Sequence, residues 1–555
     1  MSVDDDQTAD QLDQSEASDN YMTYTNDVVL PVDTLIEVTR LQEFLRSHDN
    51  SYFEEQFKII PRPINVTQHV GLSIENIQKN RYKDICTYDH SRVLLEINTH
   101  NNEGDYINAS FIEGYKNDER MIASQGPKAS MVNDFVRMLW EQKVEKLVML
   151  TNLTEEGKMK CERYWPEEGS REFGSITITL TTTQIFADYT IRRLQLIKNG
   201  QGSQHITQYH FTSWPDKGVP LTPWGLVDFE QRVFDQPSIQ PVVVHCSAGV
   251  GRTGTFIALR NIMRQAEDTG HVDFFNTVAK MRQARTMMVQ THEQYQFLHR
   301  AALVAIACMG TTITNADIEK RIATLEMNFG TGKSQLEKEF EAVCTISKDV
   351  GGTDSEREHN DDVIYQNITT LIKFKKNKKK KHLLSSHTNG ELYRATLKTD
   401  TTNTGDYINA VLVPSFTKPN NFILTQIPLT TTVVDFWRLV TQYEVKLVLA
   451  FELDSSDNKT FGNYLPLNHH EALELQQFII ETDESDGKGF YEEQRVTVKR
   501  KKDKNIKMFN KNSFHTLIHL KCSIRDYDLR NLLTVITQAR GIIAKQKGRV
   551  VFVCR

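Results

Sequence analysis

The sequence has no uninterrupted apolar run of the roughly 18–20 residues that a membrane-crossing helix needs. Its first residues are acidic, so no signal peptide is visible either. No sign of charge dominates: 66 Lys and Arg stand against 72 Asp and Glu, a formal net charge of −6. That balance speaks against nucleic acid as a bulk partner. Cysteines are few, seven in 555 residues, scattered and odd in number, with no Cys-x-x-Cys pair. A zinc site and a disulfide framework are both disfavoured, and no metal or cofactor is expected. A reducing, intracellular setting follows, in which the Asn65-Val66-Thr67 and Asn152-Leu153-Thr154 triplets carry no meaning. What is present suffices to fold: 39% hydrophobic and 25% charged residues exclude wholesale disorder. At roughly 150 residues per domain, the length suggests about two to four domains.

The chain repeats itself. GDYINASFIEGY from Gly104 returns as GDYINAVLVPSF from Gly405, and SQGPKASMVNDFVRML from Ser124 returns as TQIPLTTTVVDFWRLV from Thr425. FEEQF at Phe53 is echoed by LEKEF at Leu336, and VVVHC ending at Cys246 by VVFVC ending at Cys554. A period near 300 is far too long for a solenoid and means two copies of one large domain. We expect a polar leader over 1–27, a first domain over 28–310, a linker over 311–330 and an incomplete second domain over 331–555. Residues 33–46 show helical spacing, with a second short helix around Phe53 and Phe57. KLVMLTN, SITITLTTTQIF and PVVVH read as strands, and MVNDFVRMLWEQ, TGTFIALRNIMRQAED and THEQYQFLHRAALVAIA as helices. The expected class is α/β (α+β), each domain a twisted mixed sheet with helices on both faces. Two basic runs, 373–382 and 499–504, suit a solvated loop or contact with acidic lipid or peptide.

One window carries chemistry. PVVVHCSAGVGRTGTFIAL (241–259) reads as strand, glycine-bearing loop, helix. In such a loop the amides of Ser247, Ala248, Gly249, Val250 and Gly251 turn toward one point. They form an anion nest backed by the positive end of the helix dipole. The same field favours a thiolate at Cys246. Arg252 can hold two phosphate oxygens with its planar fork, and Thr253 can donate its hydroxyl to the sulfur. No Gly-Lys-Ser/Thr stands at Walker spacing and no Pro-Cys-x-x-Cys occurs. Cys-x5-Arg alone admits several phosphatase classes.

With these residues in view, the chain resembles the tandem cytoplasmic region of a receptor-type protein tyrosine phosphatase, strongly over 33–305 and moderately over 330–555. Thr212-Ser213-Trp214-Pro215-Asp216 with Gly218-Val219-Pro220 is similar to that family's mobile acid loop. The resemblance implies that Asp216 protonates the leaving phenolate, with Trp214 and Pro215 beside it. Lys79-Asn80-Arg81-Tyr82-Lys83-Asp84 is similar to the substrate-recognition loop. There Tyr82 would set a pocket depth that excludes phosphoserine, and Asp84 would accept from the substrate backbone. Gln290 and Gln294 match the glutamines that orient attacking water. Glu156 is expected to pair with Arg252, Lys160 to approach Asp216, and His245 to support the loop. Asn108-Ala109-Ser110 and Gln125-Gly126-Pro127 match framework positions.

The resemblance further implies phosphotyrosine proteins as substrates and a location in the cytoplasm, as the inner part of a membrane receptor. A dual-specificity or phosphoinositide phosphatase, or a phosphotyrosine-binding pseudophosphatase, are the alternatives. The second copy departs from the pattern. It has KKNKKKKHLL where the first has KNRY, and it lacks Trp-Pro-Asp, with NSFHTLIHLKC (512–522) expected in that region. Val553 precedes Cys554, and Arg555 ends the chain. We expect this copy to be catalytically inactive and to serve interaction or regulation.

Overall fold

The computed structural model describes residues 34–97, 104–116, 119–327, 332–350, 394–398, 406–452, 462–487, 491–501, 514–523, 529–546 and 548–554. The leader at 1–27 and the basic run at 373–382 lie outside the described residues.

Two large mixed sheets dominate. The first has strands β1 (Arg92–Leu94), β2 (Tyr106–Glu113), β3 (Arg120–Ser124), β4 (Lys146–Met149), β5 (Ser170–Phe173), β6 (Ile176–Ile185), β7 (Tyr189–Lys198), β8 (Gly202–Phe211) and β9 (Val242–His245). Their order is β1-β2-β3-β9-β4-β8-β7-β6-β5. The second has β10 (Arg394–Thr396), β11 (Tyr407–Val413), β12 (Phe422–Gln426), β13 (Val445–Glu452), β14 (Leu473–Glu474), β15 (Phe478–Thr482), β16 (Asp486–Gly487), β17 (Tyr491–Arg500), β18 (Phe514–Ser523) and β19 (Arg549–Cys554). Its order is β10-β11-β12-β19-β13-β18-β17-β15-β14, with β16 on β17. The two orders match strand for strand, so the sequence repeat is also a topological repeat.

The second sheet shows why its strands read as nearly continuous apolar runs. Successive side chains of a strand point to opposite faces, and a sheet covered on both faces needs apolar residues at both parities. Val448 and Ala450 of β13 join one cluster with Phe436 and Trp437 of the helix Val433–Gln442. Leu447 and Leu449 join another with Val535, Ala539 and Ile542 of the helix Leu529–Lys545. In the first sheet β4 and β9 are buried at every position.

The chain divides into two compact units, Met1–Gly126 with Val244–Ile306 and Pro127–Val243 with Ala307–Arg555. In the first unit the helix Asn50–Lys58 starts at Asp49, whose side chain accepts from the Tyr52 amide. Asp273 caps the helix Phe274–Ala284 in the same way. The stretch 33–46 is not one helix. Ile36–Glu37 pairs with His271–Val272, and the α-helix starts only at Leu41. Pairing with a partner more than 230 residues away overrides the local helical spacing.

In the second unit β18 corrects one expectation. From Phe514 onward NSFHTLIHLKC lies in this strand, antiparallel to β17 and parallel to β13. It repeats β8, which lies antiparallel to β7 and parallel to β4. It therefore precedes the counterpart of the Trp214–Asp216 loop rather than occupying it, and that counterpart (524–528) lies outside the described residues. Lys499 and Lys501 of the second basic run pair with Glu481 and Glu474. Among the described residues no helix is long and apolar enough to cross a membrane.

Candidate active site

In the first unit the buried strand β9 delivers His245 and Cys246, and a 19-residue helix, Gly251–Thr269, leaves on the other side of the loop. The helix begins at Val250 without a side-chain cap, so its first amides remain available to a bound anion. Gly249 has φ +73°, and a Cβ there would overlap the Ser124 carbonyl. Glycine alone allows this bend and this approach to β3. The Gly249 amide donates to Cys246 Sγ at 3.3 Å, and His245 Nδ1 lies 3.3 Å from the Cys246 carbonyl. Thr253 Oγ1 is buried without a hydrogen-bond partner among the described residues, so it does not bond the sulfur.

The loop is drawn tight from behind by a residue the sequence reading missed. Arg285, wholly buried, donates from Nε to the Gly249 carbonyl (2.8 Å) and from Nη2 to the Ala248 carbonyl (3.1 Å). It also donates to Asn108 Oδ1 (2.8 Å) and Ser110 Oγ (3.2 Å). Binding these two carbonyls fixes the orientation of their peptide planes, as an anion nest requires. Burial pushes the Arg285 pKa down to about 10, so it stays cationic at neutral pH. Its surroundings, KMRQARTMMVQ, mix basic, polar and apolar residues and single out no one arginine.

Asn108 and Gln125, expected as framework, hold the Lys79–Asp84 loop. Asn108 and Tyr106 donate to Asn80 Oδ1 (2.9 and 2.7 Å), and Gln125 Oε1 accepts from the Arg81 amide (2.8 Å). Tyr82, 38% exposed, has its hydroxyl 3.0 Å from Ser247 Oγ. The structure thus brings Tyr82 to the rim of the Cys246 loop. Asp84 is exposed.

Gln290 and Gln294 also meet this loop. A Cβ on Gly251 would lie 2.9 Å from the Gln294 amide group and 3.1 Å from Gln290 Oε1. The helix starts at His292, so Gln290 precedes it rather than sharing its face. The Gln290 amide donates to Gln294 Oε1 at 2.9 Å instead. The approach bends sharply: Met287 and Val289 have φ +54° and +57°, a costly region for a β-branched residue. The bend is held by Arg282, which donates to the Met288 and Val289 carbonyls, and by the Val289 amide donating to Val250.

In the second unit, the Trp214–Asp216 loop follows β8. Trp214 is buried and donates to the Gly218 carbonyl (3.2 Å), closing a turn in which Gly218 has φ +75°. Pro215 is exposed. Asp216 Oδ1 lies 3.1 Å from Lys160 Nζ, the pairing expected from the sequence. The neighbouring carboxylates fall differently. Glu156 sits exposed at a hairpin turn with φ +44°. The buried carboxylate is Glu155, which accepts from the Asn152 amide (2.9 Å) and Thr151 Oγ1 (3.0 Å). None of the seven cysteines is joined in a disulfide, and no metal-binding cluster occurs among the described residues.

The sequence profile of a family described as protein-tyrosine phosphatase matches residues 76–304 and 373–555. The chain is 35% identical over 449 residues to receptor-type tyrosine-protein phosphatase alpha of Homo sapiens, covering 79% of this chain and 53% of the relative. It is 33% identical over 475 residues to receptor-type tyrosine-protein phosphatase zeta of Rattus norvegicus (81% and 20%). It is 34% identical over 428 residues to tyrosine-protein phosphatase 69D of Drosophila melanogaster (75% and 28%). The chain therefore spans about half or less of the relatives it matches.

Proposed function

The chain belongs to the protein-tyrosine phosphatase family, and from that premise we propose that it hydrolyses phosphotyrosine in proteins through a phosphocysteine intermediate on Cys246. The observation that carries this reading is the Cys246 loop. Its sulfur lies under a donating main-chain amide, at an uncapped helix start, with its carbonyls tied back by Arg285.

In this mechanism the Cys246 sulfur attacks phosphorus in line. Arg252 and the amides of Ser247–Gly251 hold the equatorial oxygens, which carry the charge of a loose transition state. Asp216 gives its proton to the departing tyrosine oxygen, whose conjugate acid ionises near pH 10. The S–P bond that forms replaces the P–O bond that breaks. Asp216, now a carboxylate, takes a proton from water oriented by Gln290 and Gln294. That water displaces the thiolate and releases phosphate. Thr253, with its unpaired hydroxyl, is suited to donate to the sulfur as it leaves. Tyr82 stacks on the substrate ring and keeps shorter phosphoserine from the sulfur, and Asp84 accepts from the substrate backbone.

The second copy lacks the Trp-Pro-Asp triplet and the Tyr82 counterpart, and burial pushes the Cys554 thiol up. We assign it a non-catalytic role, and the chain a place in the cytoplasmic part of a receptor. Cys246→Ser in the full chain is the test. It should abolish release of phosphate from phosphotyrosine peptides while peptide binding persists. Residual turnover at the parent rate, or equal parent rates on phosphoserine peptides, would overturn the assignment.

A further inference from the structure

The second unit contains a link between the two copies of the repeat that reaches the acid loop. Phe416 sits in a surface turn closed by the Ser415 amide donating to the Lys418 carbonyl at 2.8 Å. Its own carbonyl accepts from the Ala187 amide (3.1 Å), in the turn between β6 and β7. Its ring meets Phe186 edge-on, centroids 5.1 Å apart and planes at 87°. The β6–β7 turn is closed by the Phe186 amide donating to the Tyr189 carbonyl (2.8 Å).

From this turn two routes lead to the acid loop. The first is main-chain. The Asp188 carbonyl, next to Ala187, accepts both the amide (2.8 Å) and the hydroxyl (3.0 Å) of Thr212. Thr212 is the residue at which β8 gives way to Ser213-Trp214-Pro215-Asp216. The second is a continuous series of ring contacts. Phe186 stacks on Tyr189 (4.7 Å), Tyr189 meets Phe229 (5.3 Å), Phe229 meets Phe211 (5.2 Å), and Phe211 meets Trp214 edge-on (6.3 Å). From Tyr189 to Trp214 these rings are buried, and packed rings shift together because the interior holds little free volume; Phe186 and Phe416 join that core from the surface.

We infer that Phe416 of the second copy is a positioning residue for the acid loop of the first, acting through the Phe186–Asp188 turn. The inference rests on the reading of Asp216 as the general acid. A loop carrying an acid must be free to move yet settle in one productive position. Fixing Thr212 at one end biases where Asp216 comes to rest. The second copy then acts on the chemistry through the acid loop.

Spatial continuity alone does not prove coupling, so the test uses a readout that structural loosening does not move. In the full chain, Phe416→Ala and Phe416→Tyr are made in the parent and in the Asp216→Ala background. The pre-steady-state burst of phenol release is followed with a phosphotyrosine peptide and with dinitrophenyl phosphate. The dinitrophenolate departs without protonation, so its burst is insensitive to the acid. Phe416→Ala should slow the peptide burst about fivefold, or about 1 kcal/mol at 1.36 kcal/mol per tenfold. It should leave the dinitrophenyl burst unchanged and have no further effect with Asp216 replaced. Phe416→Tyr, which keeps the ring, should restore the parent rate. The ring is 69% exposed, so the melting temperature should hold. Equal slowing on both substrates, no slowing, or the same loss in the Asp216→Ala background overturns the inference while the functional reading stands. A parent chain with no Cys246-dependent turnover would sink both.

Discussion

Replacing Arg285 by lysine keeps the buried charge and removes the fork. The guanidinium makes four hydrogen bonds, to the Gly249 and Ala248 carbonyls, Asn108 Oδ1 and Ser110 Oγ. An ammonium offers three donors from one point, so at least one acceptor is orphaned, and the spread of the four makes two more realistic. Each orphaned buried acceptor costs about 1–3 kcal/mol, so Arg285→Lys should lose roughly 2–5 kcal/mol. At about 2–4 °C per kcal/mol for a domain of this size, the melting temperature should fall by roughly 4–20 °C. The anion cradle should suffer beyond this, because the two loop carbonyls are what orient its amides. Orthovanadate affinity, measured by calorimetry well below the melting point, should fall at least about tenfold. A variant that melts within about 2 °C of the parent and binds vanadate equally well would refute the reasoning. A destabilised variant with unaltered vanadate affinity would show that the cradle does not depend on Arg285.

Two further outcomes follow from the same geometry. Gly251→Ala places a methyl 2.9 Å from the flexible end of Gln294. The side chain can yield, so stability should change little, but the two glutamines proposed to orient water are displaced. Steady-state turnover should fall several-fold with the burst preserved, and a smaller burst at unchanged steady state would contradict the role of the glutamines. His299 is buried against Phe274, and burial pushes its pKa down from 6.5 to about 3. Above pH 6.5 both folded and unfolded forms are neutral, and no stability is at stake. As pH falls below 6.5 the unfolded chain takes a proton that the fold refuses, so stability drops by up to about 1.4 kcal/mol per pH unit until near pH 3. Urea melts should therefore show His299→Phe losing roughly 2 kcal/mol less than the parent between pH 6.5 and 5. Identical slopes for the two would disprove this.

The legible parts of this protein were those written in contiguous residues. The strand-loop-helix of 241–259 needs no distant partner to be recognised: an apolar β-run, two glycines and an arginine at fixed spacing already imply an anion nest. The helices near 132–141, 251–269 and 292–307 followed from periodicity. Register was harder. Glu155 and Glu156 are adjacent and chemically alike, and the hairpin turn, with φ +44° at Glu156 and +79° at Gly157, turns one inward and the other to solvent. A one-residue shift reverses the facing of a strand side chain, and no composition rule resolves it. The same applies to NSFHTLIHLKC, whose apolar alternation is that of β18 and not of a loop.

Local sequence determined the strand-loop-helix around Cys246 and the duplication, because bond geometry and strand or helix period act over a few residues. Tertiary structure decided what lies 36 residues from Gly249 in Arg285, and how Phe416 comes to hold Ala187. Such contacts arise only when the folded chain brings distant segments within hydrogen-bonding range, and a bond of that kind leaves no periodic mark on the residues that make it.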